Sequence, residues 1–256
     1  MNTDVIKSML VELRLSTAAR ELEAVIEGQK KAVNLAWVAE LLEREIDSRQ
    51  EKGLQRRIHQ ARFPEITTLE NFNFDFNPAI DEERIRELAT LKFIDQHQIA
   101  LFLGAPGVGK PHLALAIGVL AVKDKRRVYC TSAKRLGQDI LLAKRRGTLD
   151  QLFKRILSSQ LWIIDDWGVV SMSREIAEEV FDLMDRRKQT TAMILTSNRA
   201  VQEWSEVFPD PVIANATIDR IFDRAATIIF KGDSYRLKGR ISTRDLNWDD
   251  EKGISH

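Results

Sequence analysis

The run Gly104-Ala105-Pro106-Gly107-Val108-Gly109-Lys110-Pro111-His112 holds the residues whose types and spacing speak most directly of chemistry. Glycines at these positions let the backbone curl until successive N–H groups point inward, which is how a loop cradles phosphate. Lys110 adds a positive charge, and Leu113, Ala116, Ile117 and Leu120 recur at helical spacing, so the loop opens onto a helix N-terminus that also favours anions. Gly104, Gly109 and Lys110 stand at P-loop spacing, which implies a nucleotide. The hydroxyl residue that normally follows the lysine and ligates Mg²⁺ is replaced by Pro111. Proline offers neither hydroxyl nor N–H, and it biases Lys110 away from helical backbone. A ligand-free glycine turn is the alternative, but strand, loop and helix stand in the order a phosphate site needs.

A second set of groups closes the same chemistry. Leu161-Trp162-Ile163-Ile164 is a continuous apolar run ending in Asp165 and Asp166, the pattern of a buried parallel strand with acids at its carboxyl end. Ligands of open α/β sheets bind outside the carboxyl ends of the strands, so these acids are expected beside the phosphate loop. Asp165 is suited to hold Mg²⁺ and Asp166 to polarise a water. Met193 to Ser197 reads as another buried strand ending in Asn198, which either orients a water near the terminal phosphate or is a strand-end turn residue.

These side chains need a scaffold, and the alternation of strands with helices from 99 to 230 predicts a parallel sheet wound on both faces. The further strands are 127–131 and 226–230, and helices are expected near 133–156, 176–184 and 218–224. Residues 81–97 read as one amphipathic helix through Ile85, Leu88, Leu91 and Phe93. Upstream, residues 4–62 read as three helices, with Ser16 and Asn34 as caps of the second and third. The third changes character along its length: Arg49, Lys52, Arg56 and His59 follow at helical steps with Arg57 and Arg62 beside them, while acids thin out after Glu51. This is either a solvated face or a surface for DNA phosphates. The same pair of readings applies to Lys144-Arg145-Arg146, which also suits a helix C-terminus. Phe63-Pro64 stops the third helix, and Leu69, Phe72, Phe74 and Phe76 alternate through a linker at 65–80 that either anchors to the next domain or lines a base pocket.

The chain of 256 residues carries 44% hydrophobic and 30% charged residues with a formal net charge of +1, values suited to a globular protein of one large domain and a smaller attachment. No apolar stretch is long enough to span a membrane and the N-terminus lacks a signal pattern, so a cytoplasmic protein is expected. Cys130 is the only cysteine, which excludes an intrachain disulfide, and His59, His97, His112 and His256 lack metal-ligand spacing.

With phosphate loop, acid pair and Asn198 in this order, the chain resembles an AAA+ ATPase of the initiator and helicase-loader branch. Phe63-Pro64, Leu69-Glu70-Asn71-Phe72, Gly107-Val108-Gly109-Lys110-Pro111-His112-Leu113-Ala114, Thr196-Ser197-Asn198, Glu203-Trp204, Asp219-Arg220 and Gly232-Asp233-Ser234-Tyr235-Arg236 together resemble the IstB family of insertion-sequence ATP-binding proteins, related to the DnaC helicase loader. The resemblance covers about residues 5 to 240. It implies a helical N-terminal domain over 1–64, a lidless AAA+ core over 81–240 and a polar tail over 241–256. It also implies ATP and Mg²⁺ as cofactors, homo-oligomers on duplex DNA, remodelling of that DNA and recruitment of a transposase. By motif position Lys110 matches the phosphate lysine, Asp165 the Mg²⁺ carboxylate, Asp166 the water-activating acid and Asn198 the first sensor. Arg220 matches the arginine that a neighbouring subunit inserts. Pro111 departs from the family pattern and leaves hydrolysis open. A helicase loader and a DNA-binding scaffold that ignores nucleotide are the competing readings.

Overall fold

The computed structural model describes residues 3–29, 34–188, 190–232 and 234–235. The expected tail at 241–256, and Asp233 and Arg236 of the last motif, lie outside the described residues. The chain divides into two compact units, Met1–Arg56 and Arg57–His256.

The first unit is helical: α1 (Thr3–Glu12), α2 (Ser16–Glu27) and most of α3 (Ala36–Ala61). Ile6, Leu10, Ala19 and Ala39 form its small core, with Leu22, Leu35 and Leu42 packed against them. Asn34 caps α3 as its type predicts, accepting the Ala36 N–H at 3.0 Å. Ser16 is not a cap: it is the first residue of α2, Leu15 precedes the helix, and no side chain caps that end.

The second unit is built on a five-stranded parallel sheet in the order β2-β3-β4-β1-β5, with β1 Ile99–Gly104, β2 Val128–Ser132, β3 Leu161–Asp165, β4 Ala192–Ser197 and β5 Ala225–Phe230. Residues 81–97 do not form the single expected helix. α4 (Glu82–Ala89), capped by Asp81, ends before Leu91, whose left-handed backbone at φ 63° turns the chain into the short α5 (Lys92–Asp95). The predicted stripe of Ile85, Leu88, Leu91 and Phe93 is buried all the same.

Helix α6 (Lys110–Lys123) is buried nearly all round, as a helix enclosed on every side must be. Gly118 lets it lie close to the sheet, because a Cβ there would stand 2.5 Å from Ile163 Cδ1. On the opposite face of the sheet, Leu101, Trp162, Ile164, Met193 and Leu195 share one apolar cluster with residues of α7 (Ala133–Arg145), α8 (Leu149–Leu157), α9 (Arg174–Arg187) and α10 (Pro211–Phe222). The sheet is thus covered on both faces, and its strands read as unbroken apolar runs for that reason. Among the described residues no α-helix follows β5, and no helix is long and apolar enough to cross a membrane.

Candidate nucleotide site at the carboxyl edge of the sheet

The phosphate loop leaves β1 at Gly104 and enters α6 at Lys110. Gly104, Gly107 and Gly109 all have positive φ, 151°, 81° and 102°. At Gly109, which precedes the helix, a side chain is excluded twice over: by the left-handed backbone and by Phe72, whose Cε2 would lie 2.5 Å from a Cβ. Pro111 falls in the first turn of α6, where its missing N–H costs the helix no bond. Lys110 is helical despite the proline that follows it, so the expected bias away from helix is overridden. Ala105, Pro106 and Val108 complete the loop, and His112 lies in the first turn of α6.

Lys110 is 2% exposed. Its ammonium donates to the carbonyls of Gly104 at 2.7 Å and Ala105 at 2.6 Å, folding the side chain back across its own loop. The loop is gripped from two other places. Tyr235 donates its N–H to Gly107 O at 3.0 Å, and a Cβ on Gly107 would strike Ser234 Oγ at 2.0 Å, so the segment after β5 lies directly against the loop. From the linker, Phe72 packs on His112 with ring centroids 5.4 Å apart and on Phe74 at 4.8 Å, while Thr67 Oγ1 donates to His112 O at 3.0 Å. The alternating phenylalanines therefore anchor the linker to the phosphate loop, the first of their two readings.

Asp165 and Asp166 end β3 beside the end of β4, and the two strand ends are laced together. Thr196 Oγ1 donates to Asp165 Oδ1 and accepts the Asp166 N–H at 3.2 Å. Asn198 Nδ2 donates to Asp166 Oδ1 at 3.3 Å, and the Trp167 N–H donates to Thr196 O at 2.9 Å. Beneath them Ser197 Oγ donates to Trp167 O at 2.7 Å and accepts the Trp204 indole N–H at 3.1 Å. Asp166 sits at φ 54°, a backbone that aspartate tolerates better than most residues. Burial lifts the Asp165 carboxyl above the usual carboxylate range, and the charge of Asp166 pushes the same way. The Thr196 hydroxyl and the Lys110 ammonium oppose that rise.

The sequence reading brings Lys110, Asp165, Asp166 and Asn198 to one sheet edge, and the structure places them there. It missed Thr196, which touches both acids. The signal was present in Thr196-Ser197-Asn198, but a continuous buried strand takes Thr196 for core, where it is indeed 1% exposed. Arg220 is elsewhere. Ile99 donates to Arg224 O at 3.2 Å, so the end of α10 lies at the amino edge of the sheet, a strand length of roughly 20 Å from the phosphate loop. There its guanidinium donates to Asp185 at 2.7 Å and Asp219 at 2.9 Å.

The basic residues divide. Arg49 pairs with Glu45 at 2.6 Å and donates to Leu13 O, and Arg57 donates to Val122 O at 3.2 Å. Lys144 is held by Glu179 at 2.9 Å and Glu175 at 3.3 Å, which keeps it charged and occupied. Lys52, Arg56, Arg145 and Arg146 are exposed and make no ion pair among the described residues.

The donor set suits a nucleotide. One loop with three positive-φ glycines, a helix N-terminus and a buried lysine meet where an anion's charge is needed. For Mg²⁺ the fit is partial: Asp165 offers a carboxylate, Pro111 offers nothing, and among the described residues no group of three or more His, Cys, Asp or Glu side chains could hold a metal.

Comparison with known proteins agrees with this geometry. The family model described as IstB-like ATP binding protein matches residues 8–243. An ATP-binding protein of insertion sequence IS21 from Pseudomonas aeruginosa is 37% identical over 232 residues, covering 90% of this chain and 88% of the relative. Its counterpart from IS5376 of Geobacillus stearothermophilus is 37% identical over 198 residues, 77% of this chain and 79% of the relative. Among solved structures, the DnaC helicase loader superposes with TM-score 0.51 at 22% identity, over 58% of this chain and 87% of that one. AMPPCP-bound DnaA from Aquifex aeolicus gives 0.56 at 23%, over 69% and 53%. These likenesses show the AAA+ fold.

Proposed function

The chain belongs to the IstB-like ATP-binding protein family, and on that premise we propose that it is a nucleotide-controlled helper of transposition that assembles on duplex DNA, remodels it and recruits a transposase. The observation that carries the reading is the meeting of Lys110 and its loop with the laced acids Asp165 and Asp166 at one sheet edge.

In this reading the loop amides and Lys110 bind the phosphates, and Lys110 exchanges the carbonyls of Gly104 and Ala105 for phosphate oxygens. Asp165 would hold Mg²⁺, which when bound neutralises phosphate charge. Asp166, aimed by the Asn198 amide, accepts a proton from water, and Asn198 senses the terminal phosphate. Arg220, too far from its own loop, serves the loop of a second copy once Asp185 and Asp219 release it, which makes the active form an oligomer. Lys52, Arg56, Arg145 and Arg146 are the cations free to meet DNA phosphates, with Arg49, Arg57 and Lys144 giving up protein partners to join them. Pro111 separates binding from turnover: every phosphate-binding group but one N–H remains, while the metal-binding hydroxyl is gone.

A fluorescent ATP analogue titrated with and without Mg²⁺, followed by sedimentation with duplex DNA, tests the reading. Nucleotide binding that is lost in Lys110→Ala, and nucleotide-dependent co-sedimentation with DNA, are expected. Tight DNA binding indifferent to nucleotide would replace the reading with that of a scaffold.

A further inference from the structure

Among the described residues two basic side chains are buried, Lys110 at 2% exposure and Arg187 at 1%. Lys110 serves the phosphate loop. Arg187, the last residue of α9, lies at the other edge of the sheet, where its Nη1 donates to Thr191 O at 2.8 Å and its Nη2 to Arg220 O at 3.3 Å. Its Nε is buried with no hydrogen-bond partner among the described residues. Burial pulls this guanidinium down to about 10, against the pull of Asp223, so it is charged at neutral pH.

A charge taken out of water with one N–H left over is a poor way to stabilise a fold, because an apolar side chain of similar volume usually serves as well. What the guanidinium adds is geometry, a planar fork that ties two backbone oxygens together. One of them belongs to Thr191, immediately before β4 and inside the sheet order rather than at its edge, and the other to Arg220 in the last turn of α10.

The same turn of α9 also handles the Arg220 side chain. Asp185, two residues before Arg187, accepts from Arg220 Nε at 2.7 Å, and Lys188, the next residue, pairs with Asp223 at 3.5 Å. The backbone of Arg220 is therefore held by a buried donor, and its guanidinium by carboxylates whose side chains are 52% and 76% exposed, Asp185 and Asp219. Exposed ion pairs are weak and exchange readily, and a phosphate accepts the same forked donor.

From this arrangement we propose that Arg187 is the positioning residue of Arg220, fixing the backbone from which its guanidinium reaches the phosphates of a second copy, while Asp185 holds that guanidinium back until those phosphates arrive. The proposal rests on the reading of Arg220 given above. It gives two residues of one helical turn opposite effects: losing Arg187 hinders assembly, and losing the Asp185 charge eases it. A role in stability alone would give both the same sign.

The experiment is sedimentation velocity of the whole chain on a mixed-sequence duplex with Mg²⁺, read as the ATP concentration at half-assembly. Arg187→Met should raise that concentration roughly tenfold or more, as misplacement of a reacting group does. Its affinity for a fluorescent ATP analogue, measured without DNA, should stay as in the parent. Arg187→Lys keeps the charge without the fork and should lie between the two. Asp185→Asn should lower the half-assembly concentration by roughly threefold, the scale of an exposed ion pair. If Arg187→Met does not melt cooperatively, Arg187→Lys and Asp185→Asn decide on the same terms. The inference falls if the Arg187 variants assemble as the parent does, if they lose nucleotide affinity along with assembly, or if Asp185→Asn needs as much ATP as the parent or more. Assembly lost in Arg220→Ala but kept in the Arg187 variants overturns this inference alone. Undiminished assembly in Arg220→Ala overturns the reading of Arg220 and the inference with it.

Discussion

The Thr196 hydroxyl donates its hydrogen to the Asp165 carboxylate and, on the same oxygen, receives the backbone N–H of Asp166. One methyl-sized polar group on β4 thereby fixes both acids at the end of β3. Thr196→Val keeps the shape and removes the hydrogen bonds, so it should cost about 1–3 kcal/mol at neutral pH, with Thr196→Ser recovering most of it. The sign with pH follows from Asp165, whose carboxyl burial already holds above its ordinary value. Without the hydroxyl that value rises further. The penalty is then full above the raised value and shrinks as pH falls through it, because the protonated acid needs no donor. Denaturant unfolding of the three proteins at pH 7 and pH 4 measures this, and an equal penalty at both would refute it.

Pro111→Thr should raise Mg²⁺-dependent ATP turnover by about a hundredfold, the equivalent of roughly 2.7 kcal/mol of restored interaction. Affinity for a fluorescent ATP analogue should change little, since Lys110 and the loop are intact in both. Steady-state rates at saturating ATP and DNA decide it; equal rates would mean that proline is harmless or that another step limits turnover.

Arg220→Ala should leave nucleotide binding unaltered and change stability little, because the carboxylates it pairs with, Asp185 and Asp219, are solvent-exposed. ATP-dependent oligomers on DNA should nevertheless be lost. Sedimentation velocity with and without nucleotide reads the difference, and undiminished assembly would remove Arg220 from the site.

Cys130 should resist iodoacetamide at pH 8 in the native chain and react at the rate of an ordinary thiol in denaturant. Burial pushes its thiol up to about 12, so almost no thiolate exists to attack. Rapid native alkylation, followed by mass spectrometry, would show that β2 is far more open than its 4% exposure at this residue indicates.

What the sequence disclosed was local. The phosphate loop, the acid pair and Asn198 were legible because glycine backbone, proline and terminal carboxylates act through their immediate neighbours, and a short apolar run ending in acids suits a buried strand. What escaped depends on partners distant in the chain. Lys144 looks free until α9 brings Glu175 and Glu179 to it, and Arg220 until α9 brings Asp185. The break at Leu91 escaped because the apolar stripe continues on both sides of it, and the stripe encodes which residues are buried, not the φ of the one that turns. Ser16 failed as a cap because Leu15 precedes α2 instead.

The position of β1 between β4 and β5 bears on the order in which the protein comes into being. Synthesis delivers β1 and the phosphate loop early, yet both strands that flank β1 come later, at Ala192–Ser197 and Ala225–Phe230. Parallel pairings across such separations close slowly and only after the distant segment has left the ribosome. A chain halted before Phe230 therefore carries the basic helix without a finished nucleotide site. Nucleotide binding is therefore expected of chains translated through β5 and the Ser234 and Tyr235 that follow it, and not of shorter products.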